Sequence, residues 1–286
     1  MTPVPVAETI AETRATVAAA RAAGRVVTFV PTMGALHAGH AELVRVARRL
    51  AGPSGLVVVS IFVNPAQFGP AEDFSRYPRS LDADRKLCGD AGADLIFHPT
   101  PAEMYPGHAV AYADVTELGD HLCGPSRSGH FRGVCTVVLK LLNIVQPDAS
   151  VFGAKDAQQV RIVRRMVADL NVPGRIEIAP TVREADGLAM SSRNVFLNAE
   201  ERAVAPRIYA ALLAVRARAR SGELDVARLE SALHADLAAI PGGRVDYARI
   251  VDDDRMQPLP RLDRPALCAV AVFLGRTRLI DNLTVP

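Results

Sequence analysis

Lysine is nearly missing from this 286-residue chain: only Lys86, Lys140 and Lys155 occur, and the other basic residues among 33 Lys+Arg are arginines. An excess of one charge sign is missing too, because 31 Asp+Glu leave a net charge of +2. No global attraction for nucleic acid follows from such a balance. The arginines of the last hundred residues lack the interleaved aromatics that an RNA-binding surface stacks on bases. Cysteine is scarce: Cys88, Cys123, Cys135 and Cys268 form neither a CxxC nor a metal-ligand spacing. Small buried thiols in a reduced, cytoplasmic compartment are therefore expected. Long apolar runs are absent, since stretches such as Leu56–Val63 fall far short of the roughly 20 residues needed to span a bilayer. Pro3, Pro5, Glu8 and Glu12 stand where a signal peptide needs a basic start and an apolar run.

What is present is core material, with 49% hydrophobic and 22% charged residues. Disordered, collagen-like and disulfide mini-protein classes are excluded by these figures, and one or two domains are expected. Ala7–Ala23 reads as a helix stopped by Gly24, and Val26–Val30 as a buried strand ending at Pro31. The loop 31–40 leads into a helix with Leu43, Val46, Ala47 and Leu50 on one face. Strands follow at Leu56–Val63, Asp94–Phe97, Ser150–Phe152 and Ile176–Ala179, with helices at Leu81–Asp90, Val134–Val145 and Gln158–Leu170. Strand, loop, helix, strand is the order of a Rossmann-like doubly wound α/β sheet, which binds ligands beyond the carboxyl ends of its strands. From Asn198, with Glu201 as a capping box, a helix to Arg220 and another at Asp225–Ile240 precede strands at Val245–Val251, Ala266–Leu274 and Arg278–Thr284. Residues 1–181 are thus expected to form the Rossmann-like domain and 182–286 a smaller α+β C-terminal lid domain.

Four loops hold polar groups in suggestive places. In His37-Ala38-Gly39-His40 two imidazoles share one face of a first helical turn, where the helix terminus favours anions. They read as phosphate donors or as surface histidines; zinc lacks a third ligand. Gly34 and Gly39 allow close backbone approach. Asn64-Pro65-Ala66-Gln67-Phe68-Gly69-Pro70 reads first as a turn, with Asn64 and Gln67 able to bind a small hydroxy acid. Lys155 after Phe152-Gly153-Ala154 suits a polyphosphate, and Asp156 suits a helix cap or a nucleotide hydroxyl. Met190-Ser191-Ser192-Arg193 offers two hydroxyls and a guanidinium as an anion clamp. Asp82 and Asp84 read as an exposed helix face or a Mg²⁺ contact.

Pro31–His40 resembles the HxGH signature of the nucleotidyltransferase superfamily, and Met190–Arg193 its KMSKS-like counterpart. Together with 62–68, Gly129-His130-Phe131-Arg132-Gly133, Lys155-Asp156-Ala157-Gln158-Gln159 and Leu279-Ile280-Asp281-Asn282, the blocks resemble the pantoate–β-alanine ligase family across nearly the whole chain. That resemblance implies ATP-dependent condensation of pantoate with β-alanine through pantoyl adenylate. It assigns Met33, Gly34, Ala35, Leu36, His37, Ala38, Gly39 and His40 to ATP, with His40 as proton donor and His37 beside it. Gly153, Ala154, Lys155, Asp156, Val182, Met190, Ser191, Ser192 and Arg193 complete the ATP segments. It gives Gln67 and Gln159 to pantoate, Gln67 also to β-alanine, and Asp84 to Mg²⁺. Ala154 departs from the family's usual Glu. The resemblance further implies a homodimer. A phosphate-accepting nucleotidyltransferase, a synthetase fragment and a nucleotide-sensing binding protein are the competing readings.

Overall fold

The computed structural model describes residues 3–69, 74 and 77–286. Two compact units emerge: one comprises 1–115, 127–154 and 159–180, the other 116–126, 155–158 and 181–286.

The first unit is built on a six-stranded, wholly parallel sheet: β1 (Val6–Ala7), β2 (Val27–Thr32), β3 (Leu56–Ile61), β4 (Leu95–Phe97), β5 (Ala149–Gly153) and β6 (Arg175–Ala179), in spatial order β1-β4-β3-β2-β5-β6. Every residue of β3 is buried, as its unbroken Leu-Val-Val-Val-Ser-Ile run demands of a strand covered on both faces. The helices are α1 (Ile10–Ala22), α2 (Ala38–Ala51), α3 (Leu81–Ala91), α4 (Pro101–Met104), α5 (His130–Val145) and α6 (Ala157–Asp169). The chain winds from β2 to β3 on one side and later returns to place β5 on the other. The carboxyl ends of β2 and β5 therefore flank the topological switch point, and the loops after them open there.

The second unit carries α7 (Ala199–Val204), α8 (Arg207–Arg220), α9 (Val226–Ala238) and the antiparallel strands β7 (Gly243–Asp252), β8 (Ala266–Leu274) and β9 (Thr277–Val285). Burial alternates along β9, and its inner residues Leu279, Leu283 and Val285 join Leu212, Leu229, Leu233 and Leu237 of the helices in one core. Gly275, at φ +56, makes the two-residue turn between β8 and β9.

Among the boundaries that differ from the sequence reading, four have a clear local cause. The first helix starts at Ile10, because Thr9 and Glu12 close a capping box, and Val6–Ala7 instead pairs with β4. β2 runs past Pro31 to Thr32: Val27 O accepts from Asp148 N on the β5 side and Thr32 O from Phe62 N on the β3 side. Pro31 thus turns its nitrogen toward β5, whose pairing with β2 has ended at Phe29, and no ladder bond is lost. α5 begins at His130, after Gly129 in a left-handed conformation. The helix expected from Asn198 to Arg220 is two helices, broken before Arg207 by Pro206, which has no N–H for an i to i−4 bond. All four cysteines are free and buried.

Candidate active site

The loop after β2 is held open by one buried carboxylate. Gly34 has φ +88 and Ala35 φ +52, a region costly for alanine. Asp84, reaching in from α3 at 3% exposure, accepts the Ala35 amide at 2.9 Å and the Leu36 amide at 2.7 Å, one on each oxygen. A Cβ on Gly34 would stand 3.1 Å from that carboxylate and 3.0 Å from Ile61, and at φ +88 any side chain is strained, so glycine suits the position. Burial pushes the Asp84 carboxyl above the ordinary carboxylate range, against the opposing pull of the Leu36 and Ala35 amides and of nearby His98. Sequence reading had placed Asp84 on an exposed helix face or on Mg²⁺. The structure buries it and commits both oxygens to backbone, because an eleven-residue helix packed beside the loop turns that side chain inward.

Helix α2 opens with an unusual cap made of two histidines. His37 Nδ1 accepts from Gly39 N at 3.1 Å, and His40 Nδ1 accepts from His37 N at 3.3 Å. Both Nδ1 atoms being acceptors, each neutral ring carries its proton on Nε2. The ring centroids lie 4.2 Å apart, so two like donors stand side by side at a helix N-terminus.

Gln67 is oriented by a chain of polar contacts. The Gly133 carbonyl can only accept, so the amide group of Asn64 that lies 3.1 Å from it is the NH₂. That NH₂ also reaches Gln67 Oε1 at 3.1 Å, while Asn64 Oδ1 accepts from Tyr105 Oη at 2.8 Å and from Ala66 N at 3.3 Å. Gln67 Oε1 is consequently an acceptor in use. Its NH₂ points toward Met33 Sδ at 3.0 Å, a weak acceptor that a ligand oxygen can replace. His130 secures the backbone beneath: Arg127 only donates to its Nε2, at 2.9 Å, so its Nδ1–H donates to Gln67 O at 2.9 Å. Lys140 Nζ stands 5.3 Å from the Tyr105 ring centroid.

Tyr105, His130 and Gly133 have no role in the sequence reading, and Asn64, expected there to bind a small hydroxy acid alongside Gln67, spends its amide on Gly133 O, Gln67, Ala66 N and Tyr105. His130 and Gly133 lie in the 129–133 block that stood out as a motif, and Gly133 explains itself in space. A Cβ there would fall 2.2 Å from Ala66 O and 2.7 Å from Gln67 Cα. Pro70, the last residue of the 64–70 segment, lies outside the described residues. Gly153 ends β5 beside the switch point and Ala154 opens the 3₁₀ turn that follows. Of the two adjacent glutamines, Gln158 is saturated, accepting from Cys123 N and donating to Leu118 O and His121 O, whereas Gln159 is half-buried on the first turn of α6.

The second unit contains Lys155, Asp156, Val182 and Met190–Arg193. Lys155 is half-buried and Asp156 exposed in a 3₁₀ turn. Val182 and Met190 face each other across a hairpin, Met190 N donating to Val182 O at 3.0 Å. The Ser191 hydroxyl oxygen accepts from Arg193 N at 3.2 Å, shaping the turn that leaves Ser192 half-buried and Arg193 exposed.

A parallel sheet with a histidine-capped helix opening at its switch point is the layout of an α/β enzyme that takes an anionic ligand there. The family model described as pantoate-beta-alanine ligase matches residues 5–284. The chain belongs to that family. A pantothenate synthetase of Pelotomaculum thermopropionicum is 51% identical over 277 residues, 97% of each chain. A solved pantothenate synthetase from Thermus thermophilus aligns at a TM-score of 0.91 with 47% identity, over 98% of this chain and 99% of that one. A pantoate-beta-alanine ligase from Francisella tularensis, complexed with beta-gamma ATP and beta-alanine, aligns at 0.77 with 31% identity, over 98% and 97%.

Two substitutions test the site's scaffold. Asp84→Ala strands two loop amides and should cost about 2–4 kcal/mol in chemical denaturation, with Asp84→Asn losing less; a loss below about 0.5 kcal/mol would show that the loop stands without it. Gly133→Ala forces the 64–67 turn away and should cost about 1–3 kcal/mol with faster amide exchange at Ala66 and Gln67. An unchanged unfolding midpoint and unchanged exchange would mean the contact is slack.

Proposed function

We propose that this protein joins (R)-pantoate to β-alanine with cleavage of ATP to AMP and pyrophosphate, giving pantothenate. The observation that carries this reading is the pairing, within one unit, of a double-histidine helix cap with the Gln67 amide turned to offer N–H donors. Phosphate oxygens and a hydroxy acid need those two kinds of group.

In the first half-reaction a pantoate carboxylate oxygen attacks the α-phosphorus. The bond from that phosphorus to the pyrophosphate oxygen breaks, and pantoyl adenylate forms. Negative charge collects on the leaving pyrophosphate, where the Nε2–H groups of His37 and His40 can donate as it develops. His40 acts as the proton donor. Lys155, Ser192 and Arg193 add a cation, a hydroxyl and a guanidinium for the phosphates. Gln67 and Gln159 hold pantoate, and Gln67 also faces β-alanine.

In the second half-reaction the neutral amine of β-alanine attacks the acyl carbon. The bond to the AMP oxygen breaks, and the amine proton leaves to solvent as the amide forms. Activation is required first, because a free carboxylate repels the amine and has no leaving group. No protein nucleophile takes part.

Mg²⁺ accompanies ATP as the expected cofactor. Among the described residues no group of three or more His, Cys, Asp or Glu could hold a metal, and Asp84 is committed to two amides. The described side chains do not make a protein-held Mg²⁺ site. Among the described residues no helix is long and apolar enough to cross a membrane. A cytoplasmic homodimer acting on these small molecules, with no nucleic-acid partner, completes the proposal.

The test is incubation with ATP, Mg²⁺, pantoate and β-alanine. AMP release should depend on both acids, and pyrophosphate exchange on pantoate alone; absence of both overturns the reading. Lys155→Ala should slow adenylate formation by roughly 10²–10³-fold, whereas a defect confined to the β-alanine step would remove Lys155 from the phosphates.

A further inference from the structure

The segment Leu279-Ile280-Asp281-Asn282 stands out in the sequence and has no part in the chemistry above. It lies within β9, where neighbouring residues face opposite ways: Asp281 joins the buried side with Leu279 and Leu283, and Asn282 the other side.

Asp281 is 4% exposed and receives Arg183 in two parallel bonds, Nη1 to Oδ2 at 2.6 Å and Nη2 to Oδ1 at 2.9 Å. Arg183 also donates to Gly187 O at 3.1 Å and lies 3.5 Å from the Tyr209 ring centroid. It is the second residue of the hairpin that runs from Val182 to Met190, bridged at Arg183 and Ala189. The hairpin continues straight into Ser191-Ser192-Arg193, and Asn194 closes the turn on Glu184 and Ala189 O at 3.1 and 3.2 Å. Asp281 thus holds the base of the segment carrying Val182, Met190, Ser191, Ser192 and Arg193.

Asn282 donates from Nδ2 to the Lys155 carbonyl at 2.9 Å. A backbone carbonyl only accepts, so the amide is oriented with its NH₂ toward Lys155. Two consecutive residues of one strand therefore tie down the Lys155 turn and the 182–193 segment, which are far apart in sequence. A buried ion pair is a poor way to gain net stability, since desolvation consumes much of the attraction, whereas its bidentate geometry holds a backbone in register. An apolar pair would fill the same core space without aiming the hairpin.

We propose that Asp281 and Asn282 are positioning residues for the nucleotide, setting the Lys155 turn and the Val182–Arg193 segment relative to each other within the second unit. The proposal rests on the reading above that gives those segments to ATP.

The variants Asn282→Ala and Asn282→Asp test it, in pantoate-dependent pyrophosphate exchange and in equilibrium binding of a non-hydrolysable ATP analogue. Losing one neutral hydrogen bond should raise both the KM for ATP and the analogue Kd by about 3–10-fold. Asn282→Asp should be at least as weak, because a carboxylate would then oppose the carbonyl oxygen. The KM for pantoate should stay within about twofold and Tm within about 2 °C, a split that general loosening of the fold does not produce. Unchanged analogue binding, or equal changes in both KM values, overturns the proposal. If the wild-type chain binds the analogue but shows no exchange, the ligase reading fails while the Kd comparison still decides the role of Asn282. Should Asn282→Ala not fold, Asn282→Asp, of nearly the same shape, provides the same comparison.

Discussion

Two hydrogen bonds, from the Ala35 and Leu36 amides to the Asp84 carboxylate, hold the loop that connects β2 to the histidine-capped helix. Without an acceptor at that place, a positive-φ alanine and two inward-facing amides would have no compensation, and the chain would relax to a wider turn. The position of α2, and hence of both imidazoles, follows from the path of this loop. The carboxylate is buried at a cost, as the upward push on its pKa records. That penalty is tolerated where the loop shape is needed for function, a pattern expected of sites rather than of cores.

Acceptor-only and donor-only groups propagate orientation through the rest of the first unit. The Gly133 carbonyl sets the Asn64 amide, Asn64 sets Gln67, and the Arg127 guanidinium sets the His130 tautomer that grips the Gln67 backbone. Each link is short and directional, so a flexible glutamine side chain arrives with its donors already turned outward. Preorganisation of this kind matters for the proposed reading, in which a reactant oxygen would displace a weak sulfur contact rather than a strong internal bond. The second unit uses the same device on backbone: a bidentate guanidinium–carboxylate pair and one amide hold two loops from a single strand.

The scarcity of lysine acquires a structural sense when its three members are compared. Lys86 makes an exposed i,i+4 pair with Asp90 at 2.6 Å, worth little on a solvated helix face. Lys140 stands over the Tyr105 ring, whose hydroxyl orients Asn64. Lys155 has its carbonyl held by Asn282. Arginine serves elsewhere as a multidentate brace, most visibly at Arg183, where a lysine could not form the two parallel bonds to Asp281.

The sequence by itself determined the alternation of buried strands and helices, the parallel sheet, the antiparallel C-terminal unit and the family blocks, because local apolar patterning and capping signals are short-range. It also singled out His37, His40, Gln67 and Lys155 as candidates, from residue type and place after a strand, and only the family blocks taken together gave them roles. Tertiary structure alone decided that Asp84 faces a loop 49 positions earlier, that Asn64 and Tyr105 orient Gln67, and that Asp281 and Asn282 hold Arg183 and Lys155. Each of these is a partnership between residues distant along the chain, and an isolated Asp or Asn has no pattern that reveals its acceptor or donor. The breaks at Thr9 and Pro206 were legible in principle, since both residues act on their immediate neighbours. The polar pairings were not, because only the folded chain brings their two halves within about 3 Å of each other.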